Sequence, residues 1–229
     1  MDDLVLIGTG PTAKTLLKFT RDYNLYNVIG FAVDPQYIDS REYCGLPVYD
    51  LTRLEENVNK QSVKIFVTLS WNRLNAERMH LFIRLRTEGY KCANIISPNA
   101  IIHTEIRGTN CWISNLAIIE PNVLIGENTF IKSRAWIGTN SIIHDHCFIG
   151  AGSMIAGAAE IGEQSFIGIN ATIFDFVRIG RKSIIGACTK VKRSLPDFSI
   201  VKSTTSNEII IQSSDKEIEN KLLASSNVR

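Results

Sequence analysis

The stretch Ile149-Gly150-Ala151-Gly152-Ser153-Met154-Ile155-Ala156-Gly157-Ala158-Ala159-Glu160-Ile161-Gly162-Glu163-Gln164-Ser165-Phe166-Ile167-Gly168 returns an isoleucine at every sixth residue. Extended both ways, the series runs through 113, 119, 125, 131, 137, 143, 149, 155, 161, 167, 173, 179 and 185; all thirteen are Ile, and Val191 continues it. Four residues beyond each Ile stands a small or β-branched residue, from Ala117 to Thr189. Directly after the Ile stands Gly at seven of the thirteen places: 126, 138, 150, 162, 168, 180 and 186. A period of six fits neither a 3.6-residue helix nor a two-faced strand. It predicts a solenoid in which six residues make one flat face and three hexads one coil. Ile fills the interior, the small residue fits beside it, and Gly is expected to permit the turn between faces. Each buried Ile stabilises by roughly 1.5–3 kcal/mol, so the stacked series forms a core without helices.

With three hexads per coil, residues 18 apart stack one rung up, about 4.8 Å away. Two outward columns are then large and apolar: Phe130, Phe148, Phe166, Ile184, and Ile118, Trp136, Met154, Thr172. Bare stacks of that size invite a covering surface. The expectation for the Phe column is a contact between copies in a trimer, with burial under the N-terminal domain or the C-terminal tail as the alternative.

Ahead of the solenoid the pattern changes. Leu4–Ile7, Val28–Val33 and Val63–Leu69 read as apolar strands, and Ala13–Arg21 and Ala76–Glu88 carry helical spacing. Alternating strand and helix predicts a small parallel sheet. Three parts follow: an α/β (Rossmann-like) domain over 1–95, a parallel β-helix over 96–193, and a tail over 194–229. In the tail, 207–224 read as an Ile-rich strand and a charged helix, and the last few residues as disordered.

The 229 residues are 45% apolar and 21% charged, a balance that excludes a disordered, collagenous or coiled-coil chain. Lys and Arg number 25 against 23 Asp and Glu, a net of +2, which predicts no nucleic-acid partner. No apolar run reaches membrane-spanning length and the start lacks a signal-peptide pattern, so no membrane insertion and a cytoplasmic location are expected. Five scattered cysteines without a CxxC pair read as reduced thiols.

Gly8-Thr9-Gly10-Pro11-Thr12-Ala13 fits G-x-G-x-x-A between a strand and a helix, a pattern in which backbone and helix N-terminus receive a phosphate. Asp34, closing the second strand, stands where an acid can bond a ribose hydroxyl. A purely structural glycine turn is the other reading.

The Ile-Gly hexads resemble the left-handed β-helix of the hexapeptide-repeat acyltransferases. With an α/β domain in front, the chain resembles the sialic-acid O-acetyltransferase and the bacillosamine or perosamine N-acetyltransferases. Gly45-Leu46-Pro47-Val48, Ile96-Ser97-Pro98-Asn99-Ala100 and Ser165-Phe166-Ile167-Gly168-Ile169-Asn170-Ala171-Thr172-Ile173 carry the likeness with the Gly8 loop. The resemblance implies a homotrimer that moves an acetyl group from acetyl-CoA to a nucleotide-linked amino sugar in surface-polysaccharide biosynthesis. It implies that Gly8, Thr9 and Gly10, with Ser70 and Asn72 of a Ser70-Trp71-Asn72-Arg73 loop, hold the nucleotide-sugar. For acetyl-CoA it implies the later coils, where Gly168, Asn170 and Gly186 would offer backbone approach and Lys190, Lys192 and Arg193 would meet phosphates.

Such a transfer needs a base near neutral pH, and imidazole suits it. The triplet His144-Asp145-His146 is the His-rich spot of the solenoid. Rung stacking puts Glu127 and Glu163 beside Asp145, and Asn128 and Gln164 beside His146. The triplet is therefore the candidate catalytic group, with His144 or His146 as base and Asp145 as its orienter. The resembling group places His two residues after the inward aliphatic, where this chain has Asp145. A second branch has an Asn-His-Ile-Gly stretch, matched here by Ala135-Trp136-Ile137-Gly138. A non-catalytic trimeric relative and an O-acetyltransferase are the competing readings. No metal is expected: His103, His144 and His146 do not match the three-His zinc site that γ-class carbonic anhydrases build on this solenoid.

Overall fold

The computed structural model describes residues 1–203 and 208–221. The chain forms two compact units, one of Met1–Ser70 with Arg78–Ile95, the other of Trp71–Glu77 with everything from Ile96 onward.

The first unit is a six-stranded sheet. Its elements are β1 (Asp3–Ile7), α1 (Pro11–Asp22), β2 (Asn27–Val33), β3 (Glu42–Tyr43), β4 (Leu46–Asp50), β5 (Lys64–Val67), α2 (Ala76–Thr87) and β6 (Lys91–Cys92). Strand order is β3-β4-β2-β1-β5-β6, parallel except for the β3–β4 edge pair. The central β1 is almost wholly apolar and buried from Leu4 to Ile7, as a strand covered on both faces must be. Helix α1 buries Ala13, Leu16, Leu17 and Thr20, one face at 3–4-residue spacing. It begins two residues before the predicted Ala13 because Pro11 occupies its first turn, where a fixed φ and a missing N–H cost nothing. The β3–β4 hairpin was not foreseen; Pro47 in its sequence masks the strand signal.

The second unit carries the left-handed parallel β-helix. Two-residue strands stack with a register of 18, for example Phe130 on Phe148 and Ile131 on Ile149, or Ile142 on Glu160 and Ile143 on Ile161. The inward Ile series, from Ile113 through Ile185, lies in one continuous core with Ala117, Ala135, Cys147, Ala159 and Ala171. The coil ends where Ser199–Ser203 adds in parallel to Ile184–Ile185 and Glu208–Gln212 returns antiparallel upon it. A last helix, α3, spans Asp215–Lys221. The predicted disorder of the final residues concerns 222–229, outside the described residues. Among the described residues no helix is long and apolar enough to cross a membrane.

Two sequence expectations about the prism are corrected. First, the glycine after each Ile does not make the corner. The left-handed residue stands three places after the Ile: Leu116, Asn122, Asn128, Arg134, Asn140, His146, Gly152, Ala158, Gln164, Asn170, Phe176, Lys182 and Cys188 all have positive φ. The glycine after the Ile answers a different need. A Cβ on Gly150 would come within 2.7 Å of Gly168 and Ile167 backbone atoms, and one on Gly162 within 2.5 Å of Arg181 N. It is rung-to-rung clearance that excludes a side chain there.

Second, the Phe column needs no second copy. Phe130, Phe148 and Ile184 are buried within the chain. Trp71 sets its indole on Phe148 and Phe166, with ring centroids 5.0 and 6.2 Å away. Leu74 and Ile218, both fully buried, pack with Ile184, Ile200 and Phe166. Arg73, Leu74 and Asn75 adopt three consecutive left-handed conformations to reach this position, each costing on the order of 1 kcal/mol. Burial of Leu74 and Trp71, with bonds from Gln164 Nε2 to Leu74 O (3.0 Å) and Asn75 N to Trp71 O (3.1 Å), offsets that strain.

Candidate active site

The triplet His144-Asp145-His146 divides into three different environments. His146 is the left-handed corner residue and is buried. Its Nδ1 meets Asn128 Nδ2 at 3.0 Å, and Asn110 Nδ2 in turn donates to Asn128 Oδ1 at 2.8 Å. An amide nitrogen can only donate, so Nδ1 accepts, and its ring completes a polar ladder up one corner. Gln164, the other predicted flank of His146, turns elsewhere, to Leu74 O and Glu219.

Asp145 is a backbone clasp. Its Oδ1 accepts the Glu127 N–H at 2.7 Å, in space left open by Gly126. Asp175 receives Gly157 N–H and Asp197 receives Arg181 N–H in the same way, both at 3.0 Å. All three stand two places after the inward aliphatic, so the bond belongs to the coil. The histidines on either side take other partners, His146 the Asn128 amide and His144 the Glu160 carboxylate.

His144 is the exposed member, with 44% of its side chain accessible. It stands in a column that otherwise reads Gly108, Gly126, Gly162, Gly180, so one imidazole projects from a stripe without side chains. Its Nε2 lies 2.9 Å from Glu160 Oε1. Glu160 Oε2 is 3.6 Å from Arg178 Nε. Glu160 is absent from the sequence reading; it stands in the column Leu124, Ile142, Glu160, Arg178. Trp136, at the position of the other branch's histidine, donates its Nε1–H to Glu120 at 3.1 Å.

The later coils give a mixed answer for acetyl-CoA. A Cβ on Gly168 would meet Gly186 and Ala187 backbone, and one on Gly186 would meet Val201 O, so both glycines serve clearance between rungs. Asn170 is an exposed left-handed corner. Lys190, Lys192 and Arg193 are exposed, with Lys192 Nζ 5.7 Å over the Phe174 ring.

In the first unit, the two loop glycines differ. Gly8 has φ +118 and packs so closely that a Cβ would sit 2.6 Å from Thr68 Oγ1, a structural requirement. Gly10 has nothing within 4 Å of a Cβ, so its bareness serves no internal packing. Thr9 lines a small cavity with Tyr37, Ser40 and Tyr43. Asp34 is held by Arg84 Nη2 at 3.0 Å, a partner that sequence did not suggest. Ser70 O accepts from the buried Arg78 at 2.7 Å, and Asn72 Nδ2 donates to Glu77 at 2.7 Å; both loop residues are engaged within their own units.

Lys132 is a further residue that sequence reading passed over. Its Nζ lies 3.0 Å from the centroid of the Trp112 ring, and burial lowers its pKa to about 7. Among the described residues, no group of three or more His, Cys, Asp or Glu is placed to hold a metal ion.

Residues 140–175 match the family model described as bacterial transferase hexapeptide (six repeats). A perosamine N-acetyltransferase variant from Caulobacter crescentus, crystallised with CoA and GDP-perosamine, superposes with a TM-score of 0.80 at 25% identity, covering 93% of this chain and 98% of that one. The fold is that of the hexapeptide-repeat sugar acyltransferases. The acetyltransferase domain of PglB from Neisseria gonorrhoeae gives a TM-score of 0.78 at 20% identity over 91% of this chain and all of that one. WeeI from Acinetobacter baumannii gives 0.71 at 15% identity, with 91% and 100% covered. No curated protein matches the chain by sequence.

Proposed function

We propose that the chain is an acetyl-CoA-dependent N-acetyltransferase acting on a nucleotide-linked amino sugar, in the making of surface polysaccharide. One observation carries the reading: 93% of the chain shares the fold of a protein crystallised with both CoA and GDP-perosamine. His144 is the base. The acceptor amine attacks the thioester carbonyl, a proton passes from nitrogen to the imidazole, the C–S bond breaks, and the CoA sulfur leaves and is reprotonated. Open Gly10 beside the α1 N-terminus suits a nucleotide phosphate; Lys190, Lys192 and Arg193 suit those of CoA. The division of labour is nucleotide-sugar binding by 1–95 and acyl transfer by 96–193.

The working form is a homotrimer in the cytoplasm. Exposed Met154, Phe174 and Phe176, the last 81% accessible, support a covering copy. Thiol release from acetyl-CoA, tested against UDP-, dTDP- and GDP-linked amino sugars, should appear with one of them. Silence across the panel, with nucleotide-sugar binding retained in calorimetry, would replace this reading by the non-catalytic one; release with sugar hydroxyls alone would make it an O-acetyltransferase.

A further inference from the structure

The inference rests on the transferase reading and concerns how its base is set. A carboxylate oxygen accepts and does not donate, so the 2.9 Å contact between His144 Nε2 and Glu160 Oε1 requires the proton on Nε2. In the neutral ring the lone pair is then on Nδ1. We infer that Glu160 is a positioning residue, which fixes the His144 tautomer and ring so that Nδ1 takes the proton from the acceptor amine. Arg178 Nε lies 3.6 Å from the second carboxylate oxygen, so the carboxylate is flanked by the ring on one side and a guanidinium on the other. Glu160 takes the place expected of Asp145, whose Oδ1 accepts the Glu127 N–H. As the amine adds to the thioester, its proton moves to Nδ1, and the imidazolium that forms is stabilised by the Glu160 charge.

The column itself supplies the control. Glu160 follows Leu124 and Ile142, so Glu160→Leu restores an apolar side chain that the rung accepts, and the prism stays folded. In full-length protein labelled with 15N-histidine, at a pH where the ring is neutral, His144 should show the Nε2–H form alone. Glu160→Leu should admit both tautomers, as in a free imidazole. A wild-type Nδ1–H form, or a spectrum unmoved by Glu160→Leu, overturns the inference whatever the substrate. Kinetically, Glu160→Leu should lower kcat about 10–100-fold with KM for the amino sugar little changed, and Glu160→Gln should recover part of it; equal losses in kcat and 1/KM would mark a merely structural role. If no sugar is acetylated while the tautomer behaves as stated, the positioning stands and the transferase reading falls.

Discussion

Two columns of one prism, two residues apart in sequence, treat the same side chain in opposite ways. His146 sits in a corner column of left-handed residues, buried and bonded to Asn128. His144 sits in a column of glycines, open and bonded to a carboxylate from a neighbouring rung. The corner converts a polar side chain into part of the frame. The glycine stripe leaves it free to meet a ligand. Position within the hexad, more than residue type, decides which histidine is buried and which is open.

The largest effect that would break this comparison is in turnover. His144→Ala should lower kcat by about 10²–10⁴, the usual worth of a general base, and leave the denaturation midpoint where it was; the reverse pattern would hand the role to His146. His146→Ala should instead reduce stability by about 1–3 kcal/mol, because the Asn128 amide loses its acceptor in a buried site, as urea titration would read.

A second contrast lies between the covered Phe column and the half-open Met154 column. Leu74→Ala and Ile218→Ala each remove a fully buried side chain and should cost about 2–5 kcal/mol. Met154→Ala should cost less than about 0.5 kcal/mol in the isolated chain. If Met154→Ala proves as damaging, or changes the mass measured by light scattering, that column is covered by another copy.

Lys132 sharpens the picture through pH. Its folded pKa is lowered by burial to about 7, below its unfolded value, so between about 7 and 10.5 the unfolded chain binds the extra proton and stability rises with pH. Below that window both states are charged and the whole desolvation cost is present. Lys132→Met should therefore stabilise at pH 7 by on the order of 1–4 kcal/mol, the gain fading toward pH 10; a pH-independent effect would refute it. Asp145→Ala should cost about 1 kcal/mol for one backbone bond, with Asp145→Asn close to neutral.

The solenoid was legible because thirteen isoleucines at one period leave no other packing solution. The corners were misread because left-handed backbone is usually credited to glycine, whereas here Arg134, Phe176 and Lys182 adopt it, held by the core of each coil. The three members of His144-Asp145-His146 were not told apart, since a list of residues does not say that Asp145 bonds backbone. Glu160 was missed because its meaning lies 16 residues from His144, across rungs. For the Phe column, burial under the C-terminal tail was the alternative reading, and Ile218 supplies it; the particular partners were not legible, because Trp71 and Ile218 approach from distant stretches of chain.

The left-handed corner has one more consequence. Its backbone is fixed by inward isoleucines, and the outward residues inherit a shape they did nothing to create. An outward side chain can therefore be exchanged for another without a single dihedral being renegotiated. Chemistry on such a frame is portable, and lineages built on it are free to try new reactive groups while the architecture stays as it was.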